Sequence, residues 1–288
     1  MVLESILTAH SAENKYRYVL ILGIIISLVA AVMASAVGTG SFLDPSILFI
    51  TFIVIPSVPL MYGLIKFEEE KTVKSKSEWK VLKEHSKALG AFMFLFFGFI
   101  LGMVFVFVFF PSDVTSSLFE APLKTLHSIN SNFATGMVAE GSLGAFNTIF
   151  FNNLKVLILS VVFSFFFGAG AIFILAWNAS VIAVAIGSFI REGMIKAVEY
   201  SGLHRILEIT GVWGTGLFMF SIHGIPEILA YFTGGLAGGI ISVAIINKEY
   251  YKDRFEKVIL DSADLFLISI GLLFLAAVLE VWVTPLIF

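Results

Sequence analysis

The chain has 288 residues, of which 58% are apolar, 15% aromatic and 14% charged, with a formal net charge of −3. A soluble domain carries about 25% charge, so this composition excludes a disordered chain, a nucleic-acid binder and an ordinary soluble enzyme. A mean hydropathy of +0.98 points instead to a polytopic membrane protein. There are no cysteines, so disulfides, thiolate metal sites and cysteine nucleophiles are excluded.

The first apolar run, after Lys15 and Arg17, covers 18–38 and is read as a retained span, because no small-residue cleavage site follows it. It ends at Gly38-Thr39-Gly40. Asp44-Pro45 opens a second span over 44–65, which Pro56 and Pro59 should kink. Lys66 to Lys87 holds seven lysines and five glutamates. It reads as a solvated helix, with Glu70 and Lys74 paired at i,i+4. A third span covers 88–110 and stops at Pro111.

Residues 112–153 are amphipathic, with Phe119, Leu126, Ile129 and Phe133 near helical spacing. They are expected to lie on the outer membrane face. A fourth span covers 154–176. Trp177-Asn178 interrupts it, and 179–190 is too short to cross, so it reads as a re-entrant or broken half-helix capped by Asn178. The apolar stretches 206–222 and 223–246 are divided at His223-Gly224-Ile225-Pro226, and the last span covers 258–284. The fold class is all-α: one membrane domain with about seven crossings plus the half-helix. The lysine and arginine bias places the N-terminus, 66–87, 191–205 and 247–257 in the cytoplasm, and 39–44 and 112–153 outside. The expected location is the cell membrane.

His223 and Glu227 stand at i,i+4, and counting from 247–257 brings both, with Glu280, to the outer end of the last two spans. Ionisable residues inside a span are functional candidates. This trio could lock two helices, relay protons or hold a divalent cation. Asn152, Asn153 and Lys155 open the fourth span at the same level and could complete the cluster. Gly234, Gly235, Gly238 and Gly239 form overlapping GxxxG patterns suited to close helix packing. Asp261 and Asp264 read as first-turn residues that favour a helix dipole. No Walker loop, dinucleotide fingerprint, HExxH pair or nucleophile elbow is present, which argues against an ATP-driven machine and the common metalloprotease chemistries. No cofactor is implied. The expected partners are membrane lipid and proteins or further copies of the chain, with no nucleic acid.

Phe151-Asn152-Asn153 leads into a helix with Gly168-Ala169-Gly170-Ala171. With Trp177-Asn178, the His223-Gly224-Ile225-Pro226-Glu227 turn and Glu280 ahead of Val281-Trp282-Val283-Thr284-Pro285, it resembles the stage II sporulation protein M family. The lysine-rich helix after span two gives it the look of the archaeal type. In endospore formers, members recruit and localise peptidoglycan-degrading enzymes during engulfment. The resemblance therefore implies an integral membrane scaffold or remodelling component, and it supplies no catalytic residue. A transporter or channel built on the half-helix and the His223/Glu227/Glu280 cluster is the alternative. An intramembrane metal-dependent hydrolase is a third.

Overall fold

The structure is a computed structural model that describes residues 9–38, 43–74, 78–167, 170–197, 202–248 and 255–287. Thr39-Gly40 of the first turn, the Lys74 and Phe133 side chains and Gly168-Ala169 lie outside the described set. Helices in chain order are α1 (Ala9–Ala12), α2 (Tyr16–Gly38), α3 (Pro45–Lys74), α4 (Glu78–Phe109), α5 (Ser112–Leu118), α6 (Glu120–Phe167), α7 (Ala171–Lys196), α8 (Gly202–Ile246) and α9 (Phe255–Val278). A π turn over Leu279–Val283 and a last helix, α10 (Thr284–Ile287), continue α9. Among the described residues there is no strand, and seven helices are long and apolar enough to cross a membrane.

The spans are Tyr16–Gly38, Pro45–Lys71, His85–Phe109, Gly141–Phe166, Ala171–Lys196, Ser221–Ile246 and Phe255–Ile287. Seven crossings were expected, but three boundaries differ. The fourth span is Gly141–Phe166 rather than 154–176. Gly141, at φ +64°, breaks α6 and lets the chain turn into the bilayer there. Residues 142–153 thus belong to the span, and the outer amphipathic segment ends near 140.

Trp177-Asn178 does not interrupt anything, and 179–190 is not a half-helix. The Asn178 amide donates to the Ile174 carbonyl one turn back, at 2.8 Å, so its polarity is absorbed within α7. Asn178 caps no helix; α7 runs 26 residues, long and apolar enough to cross a membrane. Lastly, 206–222 and 223–246 are one helix. α8 runs 45 residues through Pro226, which membrane helices tolerate when neighbours satisfy the freed carbonyl.

Because α7 is continuous, its basic end moves. Arg191 donates to the Phe110 carbonyl at 3.3 Å and stacks over Phe107 at 4.9 Å, at the α4 C-terminus. Residue 191 therefore sits at the bundle end opposite Lys71, His85 and Asn247, against the charge-bias expectation. A guanidinium held by a carbonyl and a ring face is accommodated there without obeying a loop-charge rule.

Two packing devices position the interior. α2 and α4 touch backbone to backbone: a Cβ on Gly23 would lie 2.5 Å from the Leu95 carbonyl oxygen and 3.0 Å from the Gly98 Cα. α8 is the central helix, with residues 231–240 all buried. Its Gly238 lies against the α6 backbone, where a Cβ would come within 2.5 Å of the Val161 carbonyl oxygen. Outward faces are apolar instead: Ile21, Ile25, Val29 and Val32 form an exposed helical stripe on α2, and Leu260, Leu267 and Phe274 form another on α9. Contiguous exposed stripes of this kind suit lipid rather than water.

Past Pro111, α5 and the start of α6 fold over the far end of the bundle. Phe119 packs its ring edge-on to Phe49 and Phe107, at 5.4 and 5.2 Å. Leu123 and Leu126 then rest against the core.

Candidate functional site

The far-end cluster forms where α8 and α9 lie antiparallel. His223 and Glu227 are one α8 turn apart, and the Tyr231 hydroxyl donates to Glu227 Oε1 at 2.7 Å. Glu280 sits in the π turn that continues α9, which packs against α8. The Thr284 hydroxyl donates to the Leu279 carbonyl at 3.1 Å, across that turn, and lies 3.5 Å from His223 Nδ1. A π turn adds a residue to the helical repeat and re-aims the side chains on it, a device frequent at functional sites. Among the described residues, the Glu280 carboxylate has no hydrogen-bond or ion-pair partner.

Of the three candidates at the start of the fourth span, Asn153 is buried, at 8% exposure, on the α6 face that continues into Leu157 and α8. Asn152 and Lys155 are exposed on the other side of α6, so the structure does not bring Lys155 to the carboxylates. Among the described residues, no group of three or more His, Asp or Glu side chains is placed to hold a metal ion, His223, Glu227 and Glu280 included. The glycines of α8 line the next turns inward. A Cβ on Gly234 would meet Leu157 at 2.5 Å and Ser269 at 3.4 Å; on Gly239 it would meet Ile65 at 2.9 Å and Ser164 at 3.1 Å; on Gly235 it would meet Ala171 at 3.0 Å.

A second network, at the N-terminal end, escaped the sequence reading. His85, with no exposed surface, bridges two carboxylates: Nδ1 is 2.6 Å from Glu68 Oε2 and Nε2 is 2.9 Å from Asp261 Oδ2. Lys71 pairs with Glu68 at 2.6 Å and with Glu13 at 2.8 Å, and lies over the Phe67 ring at 4.3 Å. Asn247 donates to Glu69 at 3.3 Å. Five parts of the chain are tied together: the segment before α2, then α3, α4, α8 and α9. Burial, with Glu68 nearby, pushes the Glu13 carboxyl up to about 7, against the pull of Lys71.

Composition hid this network, because Glu68, Lys71 and His85 sit in a run rich in lysine and glutamate and Asp261 read as a first-turn residue, whereas α9 begins at Phe255 and puts it in the second turn. A depth count was the available signal. Glu68, His85 and Asp261 fall within the first or last two turns of their spans, at one end of the bundle, and Glu13 lies just before the first span.

A bundle of seven apolar helices, closed at each end by buried ionisable side chains, is a polytopic membrane protein. The sequence profile of the family Stage II sporulation protein M matches residues 91–285, and the chain belongs to that family. No curated protein matches the chain, and neither does any solved structure.

Proposed function

We propose that this protein is an integral membrane scaffold or membrane-remodelling component, oriented with its N-terminus in the cytoplasm. The observation that carries this reading is the pair of helices that outrun the bilayer on one side. α6 and α8 have 48 and 45 residues, whereas about 20 suffice to span. Gly141, at φ +64°, divides α6, and the 45 residues of α8 rise about 68 Å against a bilayer core of about 30 Å. The surplus helix, before Gly141 in α6 and toward Gly202 in α8, provides a surface at the far end. Exposed Ile129 on α6 and Phe218 on α8 lie there. The network around His85 supports the same reading, since it fixes the spans beneath that surface as one body. The transporter reading has lost its half-helix and keeps only the Glu227–Glu280 pair. The hydrolase reading has no arrangement of ligands in its favour.

Site-specific photocrosslinking in native membranes tests the scaffold. A crosslinker at Ile129 or Phe218 should capture a discrete protein, the same one from both positions, while one at lipid-facing Ile25 should not. Capture of lipid alone at all three positions would refute it.

A further inference from the structure

The exposed apolar stripe of α2 is headed by a tyrosine and two cations. Tyr18, Ile21, Ile25, Val29 and Val32 follow one another at intervals of three or four residues, so they share one helix face. Each is between 45% and 60% exposed, so no other helix covers that face. From Tyr18 to Val32 the stripe runs about 21 Å, more than the roughly 15 Å of hydrocarbon in one leaflet. Lys15 and Arg17 are exposed beside its first residue. Lys15 Nζ lies 5.9 Å and the Arg17 guanidinium 5.0 Å from the centroid of the Tyr18 ring, and Arg17 also reaches the Tyr18 hydroxyl at 3.5 Å.

Two like charges gathered at one ring repel each other. Among the described residues, neither cation has an acidic partner. The first turn of α2 holds no acid. Glu13, the nearest acid in sequence, directs both carboxylate oxygens to Lys71, at 2.9 and 2.8 Å. Lys71 shows the opposite arrangement at the same end of the bundle, since Glu13 and Glu68 both neutralise it. That contact also fixes the depth. Lys71 ends the second span, and the first span begins at Tyr16, so Lys15 and Arg17 stand where hydrocarbon gives way to headgroups.

We propose that Lys15, Arg17 and Tyr18 form a binding site for the phosphate of an anionic phospholipid, whose hydrocarbon chains lie along Ile21, Ile25, Val29 and Val32. A guanidinium grips two phosphate oxygens as a fork, and an ammonium adds a point charge. The tyrosine ring keeps both cations on the lipid side and suits the interface itself. The occupant is a lipid rather than an acidic protein, because the charged head continues without a break into a face made for hydrocarbon. This site goes beyond the scaffold reading and does not rest on it.

Native mass spectrometry of the full chain in detergent tests the site, with phosphatidylglycerol and phosphatidylcholine of identical chains supplied in equal amounts. Each cation beside an anionic headgroup is worth about fivefold in affinity, so the two together should favour the first phosphatidylglycerol by roughly 25-fold. The double variant Lys15→Gln, Arg17→Gln should lose that preference. Both side chains are exposed, so its melting temperature should match the wild type. Lys66→Gln, at an exposed lysine of α3 near the same end, should keep the preference. Glycerol phosphate at the same concentration as the lipid has the charge without the chains and should not displace it. A wild-type protein indifferent to the headgroup would overturn the proposal. So would a preference that survives the double variant, one that Lys66→Gln removes equally, or displacement by glycerol phosphate.

Discussion

Replacing His85 by glutamine removes a side chain that touches both Glu68 and Asp261, at 2.6 and 2.9 Å. Glutamine has the wrong shape to reach the two carboxylates together. Hydrogen bonds to charged groups contribute about 1.5–3 kcal/mol each, so two give roughly 3–6. Breaking a buried ion pair costs about 3–5 kcal/mol, much of it from the charge left behind in a low-dielectric site. The two routes agree on a loss of about 3–5 kcal/mol. At about 2 °C per kcal/mol for a chain of this size, the melting temperature in detergent should fall by about 6–10 °C. Thermal unfolding followed by tryptophan fluorescence reads this directly. His127, exposed on α6, supplies the control: His127→Gln should stay within about 0.5 kcal/mol of wild type. Combining His85→Gln with Asp261→Asn should be non-additive, with a coupling of about 0.5–3 kcal/mol. A His85→Gln protein as stable as His127→Gln, or strict additivity in the double mutant, would refute the argument that this network clamps the bundle.

Gly238→Ala should cost about 1–3 kcal/mol, because its Cβ would sit 2.5 Å from a backbone oxygen that cannot swing away. Gly271→Ala, with nothing within 4 Å of its Cβ, should be neutral or slightly stabilising; equal melting temperatures for the two would sink the close-packing account. In the native chain, which has no cysteine, Ser131→Cys and Glu192→Cys should react from the same side of the membrane with an impermeant thiol reagent. Labelling from opposite sides would contradict a complete crossing by α7. The Glu13 carboxyl, raised to about 7, keeps a proton in the folded chain that the unfolded chain has already released above about 4.5. The folded state thus binds more protons in this window, and stability should fall as pH rises from about 4.5 to 7. Glu13→Gln should flatten that slope in thermal unfolding measured across the range, and an unchanged slope would remove Glu13 as its source.

The one-dimensional pattern of this chain was enough to settle its class. Long apolar runs can do little in water except aggregate, so they dictate a helical membrane protein whatever the packing. The motif residues spread from Phe151 to Pro285 were enough to show the family. Depth counting brought His223, Glu227 and Glu280 to one level, because rise per residue is constant along a helix and the basic loop marks a common origin.

Depth says nothing of azimuth, and there the tertiary structure decided. Asn153 and Lys155 are two residues apart, about 200° around α6, so one is buried and the other is exposed. Whether Asn178 breaks a helix depends on whether its amide finds a carbonyl, and Ile174 supplied one. Where a break does occur, at Gly141, a positive φ was adopted by a residue that also sits harmlessly inside helices elsewhere in the chain. The network of Glu13, Glu68, Lys71, His85 and Asp261 draws on segments as far apart as 248 residues. Each member looks like ordinary solvated charge until folding removes the water and leaves the partners to replace it.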